Sequence, residues 1–288
     1  MDQIHVTQFN PALPTQLQRT ACGIAVMISA VRYFRGLSLD LLSTIQDFAS
    51  YGRYTRPSVQ VSFPGYNING SQLSVPVSLG DDLKHAKKLL RRFDSVTIDG
   101  VERRTEQYKI ELQPPVVGQT VYMPTFFIDR GTDARGAVEW LKERWGLKAI
   151  LVEYVRDGSH AVGSEKHIFT SIEREFLDIF RNIVGQNGPV ELGSTIILPS
   201  MRLFVMASVS HDEIGRPAGV NYTNRYKSET HVLGVLPGGG KDSVTVVDPA
   251  VPHDGAGVRE VGLVEIEGGL VGREGGKRDG SHFVVIFE

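Results

Sequence analysis

The chain has 288 residues, and its 31 Lys and Arg against 33 Asp and Glu leave a formal charge of −2. Hydrophobic residues make up 41% and charged residues 22%, the profile of a folded chain and not of an intrinsically disordered one. Near-neutral charge argues against a nucleic-acid partner, a single cysteine excludes an intramolecular disulfide framework and any multi-thiolate zinc site, and no apolar run reaches the ~18 residues of a membrane span.

The opening MDQIHVTQFNPALP has neither a basic start nor a long apolar stretch, so it is not read as a secretory signal. Pro11 and Pro14 make it an extended lead-in. The expected location is cytoplasmic, or outside the cell as an effector exported without a classical signal. From Cys22 to Arg35 the sequence CGIAVMISAVRYFR places apolar residues on nearly every side of a helical wheel, which demands a buried helix. Gly36 is its expected stop, and Thr20 a plausible cap just before Cys22.

A short amphipathic stretch covers Leu39 to Ala49, and polar, Pro-punctuated loops and short strands are expected up to residue 80. LKHAKKLLRRF, from Leu83 to Phe93, reads as an amphipathic helix whose basic side is a solvated face. Residues 94 to 125 look β-rich, and Ala134 to Trp145 is a second amphipathic helix ended by Gly146.

Beyond it the runs Ala149–Val155, Thr195–Pro199, Arg202–Val209, His231–Leu236, Ser243–Asp248 and His282–Phe287 are short, β-branched or aromatic, and mostly bounded by turn residues. One helical segment, Ile172 to Val184, interrupts these strands, and the Gly-rich stretch from Gly268 to Gly280 reads as a loop. The expected organisation is a single α+β domain over 1–288, with a helix-weighted lobe to about 146 and a β-rich lobe after it. A cleft between the lobes is the natural place for a site.

Two blocks carry chemistry. In Gln16-x5-Cys22-Gly23 the cysteine falls in the first turn of the buried helix, where aligned N–H dipoles favour a thiolate. A Gln16 amide beside the backbone N–H of Cys22 could serve an oxyanion, and Gly23 lets substrate approach closely. The second block, HVLGVLPGGGKDSVTVVDPA from His231 to Ala250, reads as a β-hairpin with one polar group at each open end. His231 and Asp248 are then expected to be cross-strand neighbours, the carboxylate holding the imidazole tautomer and the imidazole exchanging protons with the thiol.

Together the two blocks resemble the papain-like cysteine peptidases, most closely the bacterial peptidases that remove double-glycine leaders from bacteriocins. The resemblance implies a papain-like fold, Cys22 as nucleophile, His231 as general base and acid, Asp248 as orienter and Gln16 as oxyanion donor. Gly23-Ile24-Ala25 departs from the Cys-Trp continuation of papain itself, and Asp248 stands where classical papain has Asn. Residues 40 to 200 follow no pattern of the branch, so double-glycine specificity is not carried over. The expected activity is hydrolysis of a peptide or isopeptide bond, on a protein or peptide substrate and without cofactor. Deamidation, transglutamination or acyl transfer by the same groups is the first alternative, and a catalytically idle binding module the second.

Other features are set aside. His160 and His167 flank Glu165 without a third spaced ligand, so no metal is expected there. LPGGGKDS fails as a phosphate loop, because Val235 stands at the first glycine position and Asp242 follows Lys241 where Ser or Thr is required.

Overall fold

The computed structural model describes residues 2–11, 13, 15–49, 58–68, 71–78, 95–98, 101–104, 110–113, 126–127, 131–155, 167–210, 230–238, 242–251, 257–271 and 281–288. A seven-stranded sheet organises them, in the order β15-β14-β13-β12-β16-β8-β9. Its strands are β8 (Lys148–Tyr154), β9 (His167–Thr170), β12 (Leu203–Ser210), β13 (Thr230–Pro237), β14 (Ser243–Val247), β15 (Val258–Gly262) and β16 (His282–Phe287). Every neighbouring pair is antiparallel except β8 with β9. The α+β class is therefore as expected, with a large, mostly antiparallel sheet.

β12 shows why the strand signals were apolar runs and not alternations. Seven of its eight residues are buried, because helices cover both faces of the sheet. On one face lie α2 (Cys22–Arg35) and α4 (Ala134–Trp145), packed on β12, β13, β8 and β16, with α3 (Leu41–Ala49) packed against α2. Ile24, Met27, Ile28, Val31, Trp140 and Leu141 form that core with Phe204, Met206 and Ile286. On the other face lie α5 (Glu173–Val184) and α6 (Leu263–Val271), where Phe176, Phe180, Ile266 and Leu270 meet Val205, Val235, Val246 and Phe283. The lead-in crosses the first face as a short 3-10 turn (Asp2–Ile4), and α1 (Thr15–Thr20) runs straight into α2.

Local chemistry sets the helix ends. Gly36 and Gly146 end α2 and α4 in the left-handed conformation, at φ of 68° and 62°, which a residue with a Cβ adopts only under strain. Asp133 caps α4 by accepting from Gly136 N at 2.9 Å, and Asp40 does the same for Ser43 N at the start of α3. Asp47 of α3 ties the two helices by accepting from Trp140 Nε1 at 2.7 Å and from Arg144 at 2.9 Å.

Three expectations need correction. The cap of α2 is Ala21, with no side-chain cap, while the Thr20 hydroxyl donates back to Leu17 O. Between residues 58 and 78 the strands are longer than the short ones expected: β1 (Ser58–Ile68) and β2 (Ser71–Ser78) pair, and with β5 (Ile110–Gln113) they form a second sheet. Its prolines misled: Pro64 falls at a register shift of β1 and Pro76 lies on the edge strand β2, both positions that tolerate a missing N–H. Gly268 and Gly269 belong to α6 and not to a loop, with Gly269 buried. The small β3–β4 (Ser95–Ile98, Val101–Arg104) and β6–β7 (Phe126–Phe127, Gly131–Thr132) pairs complete the described strands of the first half. The expected helix over Leu83 to Phe93 lies outside the described residues.

Candidate active site

Cys22 is the first residue of α2, and the uncapped end of that helix leaves its leading N–H groups for the sulfur. Apolar residues bury Gly23 to Val31 and Phe34 of the helix, which packs on β12 and β13. This packing holds the thiol beside the first residues of β13, where Cys22 keeps partial access to solvent. His231 is the second residue of β13, opposite Val209 of β12. Asp248 directly follows β14.

The hairpin joins His231 and Asp248, but not as direct opposites. Gly234 pairs with Val247, so continuing the register sets Asp248 level with Leu233, one diagonal step from His231. Same-face diagonal neighbours are within side-chain reach, and His231 Nε2 stands 2.9 Å from Asp248 Oδ1. Both are buried, at 4% and 3% exposure. Asp248 is held as firmly as it holds. Its Oδ1 also accepts from Ala250 N at 3.0 Å, its own N–H donates to Gly257 O at 2.7 Å, and Arg259 lies 3.9 Å from Oδ2.

The Cys22 side chain hydrogen-bonds the His231 imidazole. With Nε2 engaged by Asp248, the other ring nitrogen, Nδ1, is the one left for sulfur. Burial pushes the Cys22 thiol up, but the His231 bond and charge outweigh it, helped by the backbone N–H groups of Val232 and Gly23. The net effect is a pKa below the usual thiol value. Burial likewise opposes charge on His231, yet the Asp248 and Cys22 bonds push its pKa up to about 9. Burial would also raise Asp248, and the His231 bond more than offsets it, so the carboxyl sits below its usual range. All three directions fit one state: thiolate, imidazolium and carboxylate in a row.

Gly23 has a packing reason to be glycine. A Cβ there would lie 2.6 Å from Thr132 Cβ and closer still to Thr132 Oγ1, so β7 sits flush against the first turn of α2. Gln16 lies within α1, six residues ahead of Cys22, and its side chain lies outside the described residues. The competing amide, Gln18, is committed elsewhere: its Nε2 donates to Asn10 O at 3.0 Å and Leu13 O at 2.8 Å, bracing the lead-in.

Of the two histidines set aside, His167 opens β9 and His160 lies outside the described residues, while a further histidine, His282, opens β16 and is paired in register with Glu153. Among the described residues no group of three or more His, Cys, Asp or Glu side chains converges as a metal cage, and no helix is long and apolar enough to cross a membrane. Sequence reading missed His5 and Thr132, whose contacts with Asp248 and Gly23 are too distant in the chain for any spacing pattern to reveal, and Gly257, which meets Asp248 through its backbone carbonyl and so leaves no trace in residue identity. Comparison with known protein families, with curated proteins and with solved structures finds no match for this chain.

Proposed function

We propose that the chain is a papain-like cysteine peptidase, and that Cys22, His231 and Asp248 hydrolyse a peptide or isopeptide bond. The observation that carries this reading is the hydrogen-bonded line from the partly accessible Cys22 through the buried His231 to the buried Asp248. A structural cysteine has no need of an imidazole locked by a carboxylate, and burial without a partner would raise its pKa. Here the pKa is lowered.

In this mechanism the Cys22 thiolate attacks the scissile carbonyl carbon, and its electron pair forms the C–S bond of a tetrahedral intermediate. The oxyanion lies against the N–H groups that open α2, with the Gln16 amide as the second donor. On collapse the C–N bond breaks, and the imidazolium of His231 gives its proton to the departing amine. Neutral His231 then takes a proton from water, which attacks the thioester. Collapse releases the carboxylic acid and restores thiolate and imidazolium. Asp248 keeps the ring in one tautomer and stabilises its charged form throughout.

The test is to incubate the purified chain, and a Cys22→Ala variant, with a peptide mixture spanning many side-chain types. The expected result is chain cleavage by the first and none by the second, with an acyl-Cys22 adduct trapped on acid quench. Release of ammonia or incorporation of an added amine without cleavage would reassign the same groups to deamidation or transamidation. No adduct and no product with any peptide, together with an ordinary Cys22 reactivity, would leave only a binding module.

A further inference from the structure

The imidazole of His5 is fully buried, at 0% exposure, and its Nε2 lies 2.8 Å from the backbone carbonyl of Asp248, 243 positions away. A carbonyl oxygen only accepts, so His5 Nε2 carries the proton. The same segment holds the next residue of the turn: Gln8 N donates to Pro249 O at 2.8 Å. It is anchored in turn on the nucleophile helix, where Arg32 Nη1 donates to Gln3 O and His5 O, each at 3.0 Å. A closed circuit results, from Cys22 along α2 to Arg32, then His5, Asp248, His231 and back to Cys22.

We infer that His5 is a positioning residue for this site, its ring fixing the Asp248–Pro249 turn so that the Asp248 carboxylate faces His231. The inference rests on the proposed reading of Cys22 as a nucleophile. Space has been cleared for the ring: a Cβ at Gly257 would overlap His5 Nε2 and Cδ2, and would come within 2.5 Å of Asp248 O. An apolar side chain could fill the same volume. Among the described residues it would leave Asp248 O with the Val251 N–H at 3.3 Å, and the turn with one fewer restraint on the carboxylate that faces the imidazole. Because positioning errors of an ångström cost catalytic groups about a hundredfold, a hydrogen bond two steps from the sulfur is enough to govern its reactivity.

The test compares iodoacetamide labelling of Cys22 across pH 5 to 9 in the full chain and in His5→Gln, His5→Asn and His231→Ala. The Gln amide nitrogen reaches the position of Nε2, whereas the shorter Asn amide does not. His5→Gln is expected to stay within about threefold of the parent rate at pH 6, and His5→Asn to fall about tenfold with its profile moved toward an ordinary thiol. Equal labelling by both His5 variants at the parent rate, with melting temperatures lowered alike, would make His5 a packing residue only. If His231→Ala also labels at the parent rate, the nucleophile reading itself fails, which is a separate outcome. Should His5→Asn fail to fold, the parent chain still decides. Nitrogen-detected NMR of the ring at pH 7.5 must find a proton on Nε2, and a ring protonated on Nδ1 alone would overturn the inference.

Discussion

Replacing Gly23 by Ala separates two opposed effects that the structure allows to be weighed. Helix propensity favours alanine over glycine by about 1 kcal/mol in a helix interior, and by less near an end. Against this, the added methyl would sit 2.6 Å from Thr132 Cβ, roughly an ångström inside ordinary carbon contact. Overpacking of that kind costs about 1–3 kcal/mol. The net expectation is a loss of about 1–2 kcal/mol and a displaced first turn of α2, hence slower alkylation of Cys22. Moving the glycine across the contact should reverse this: Gly23→Ala with Thr132→Gly removes the whole Thr132 side chain that the methyl would meet and should recover most of the labelling rate. Thermal melts and iodoacetamide kinetics on the two variants read the result. A Gly23→Ala chain that melts higher than the parent and labels at the parent rate would refute the close seating of β7 on α2.

Activity should follow a bell in pH, its acid limb below the usual thiol value where Cys22 becomes protonated and its basic limb near 9 where His231 loses its proton; a single rising curve through pH 10 would contradict the ion pair. Stability carries a related signature. The raised His231 stabilises fully below about 6.5 and loses that contribution as pH climbs to about 9, while the lowered Cys22 stabilises fully above about 9 and loses its share as pH falls. Between those limits the slopes oppose each other, so Cys22→Ala should lose stability relative to the parent from pH 7 to 9 in urea titrations, and parallel curves would count against the coupling. Asp47→Ala should cost about 1–3 kcal/mol in the same titrations, because Trp140 Nε1 loses its acceptor in a residue only 1% exposed.

Much of the large sheet was legible because its strands are buried on both faces and so read as unbroken apolar runs, as in Leu203–Ser210. α2 was legible for the same reason, and Gly36 and Gly146 marked helix ends because their backbone conformation is one glycine accepts freely. The hairpin linking His231 to Asp248 could be found from its glycine turn, but its register could not, so the diagonal placement emerges only from the structure. α6 was hidden by Gly268 and Gly269, residues with poor helix propensity that tertiary packing overrides. His5 was invisible for a different reason. Its partner is a backbone carbonyl, which leaves no trace in residue identity, and it lies in a segment with no periodicity.

The rate of Cys22 alkylation by iodoacetamide at pH 6, measured in the parent chain and in His231→Ala, bears most directly on the thiolate–imidazolium pair. The pair predicts fast labelling in the parent and a loss of at least about tenfold in the variant, whose thiol returns toward ~8.5. Equal rates in the two proteins, each with a midpoint near that ordinary value, would contradict it.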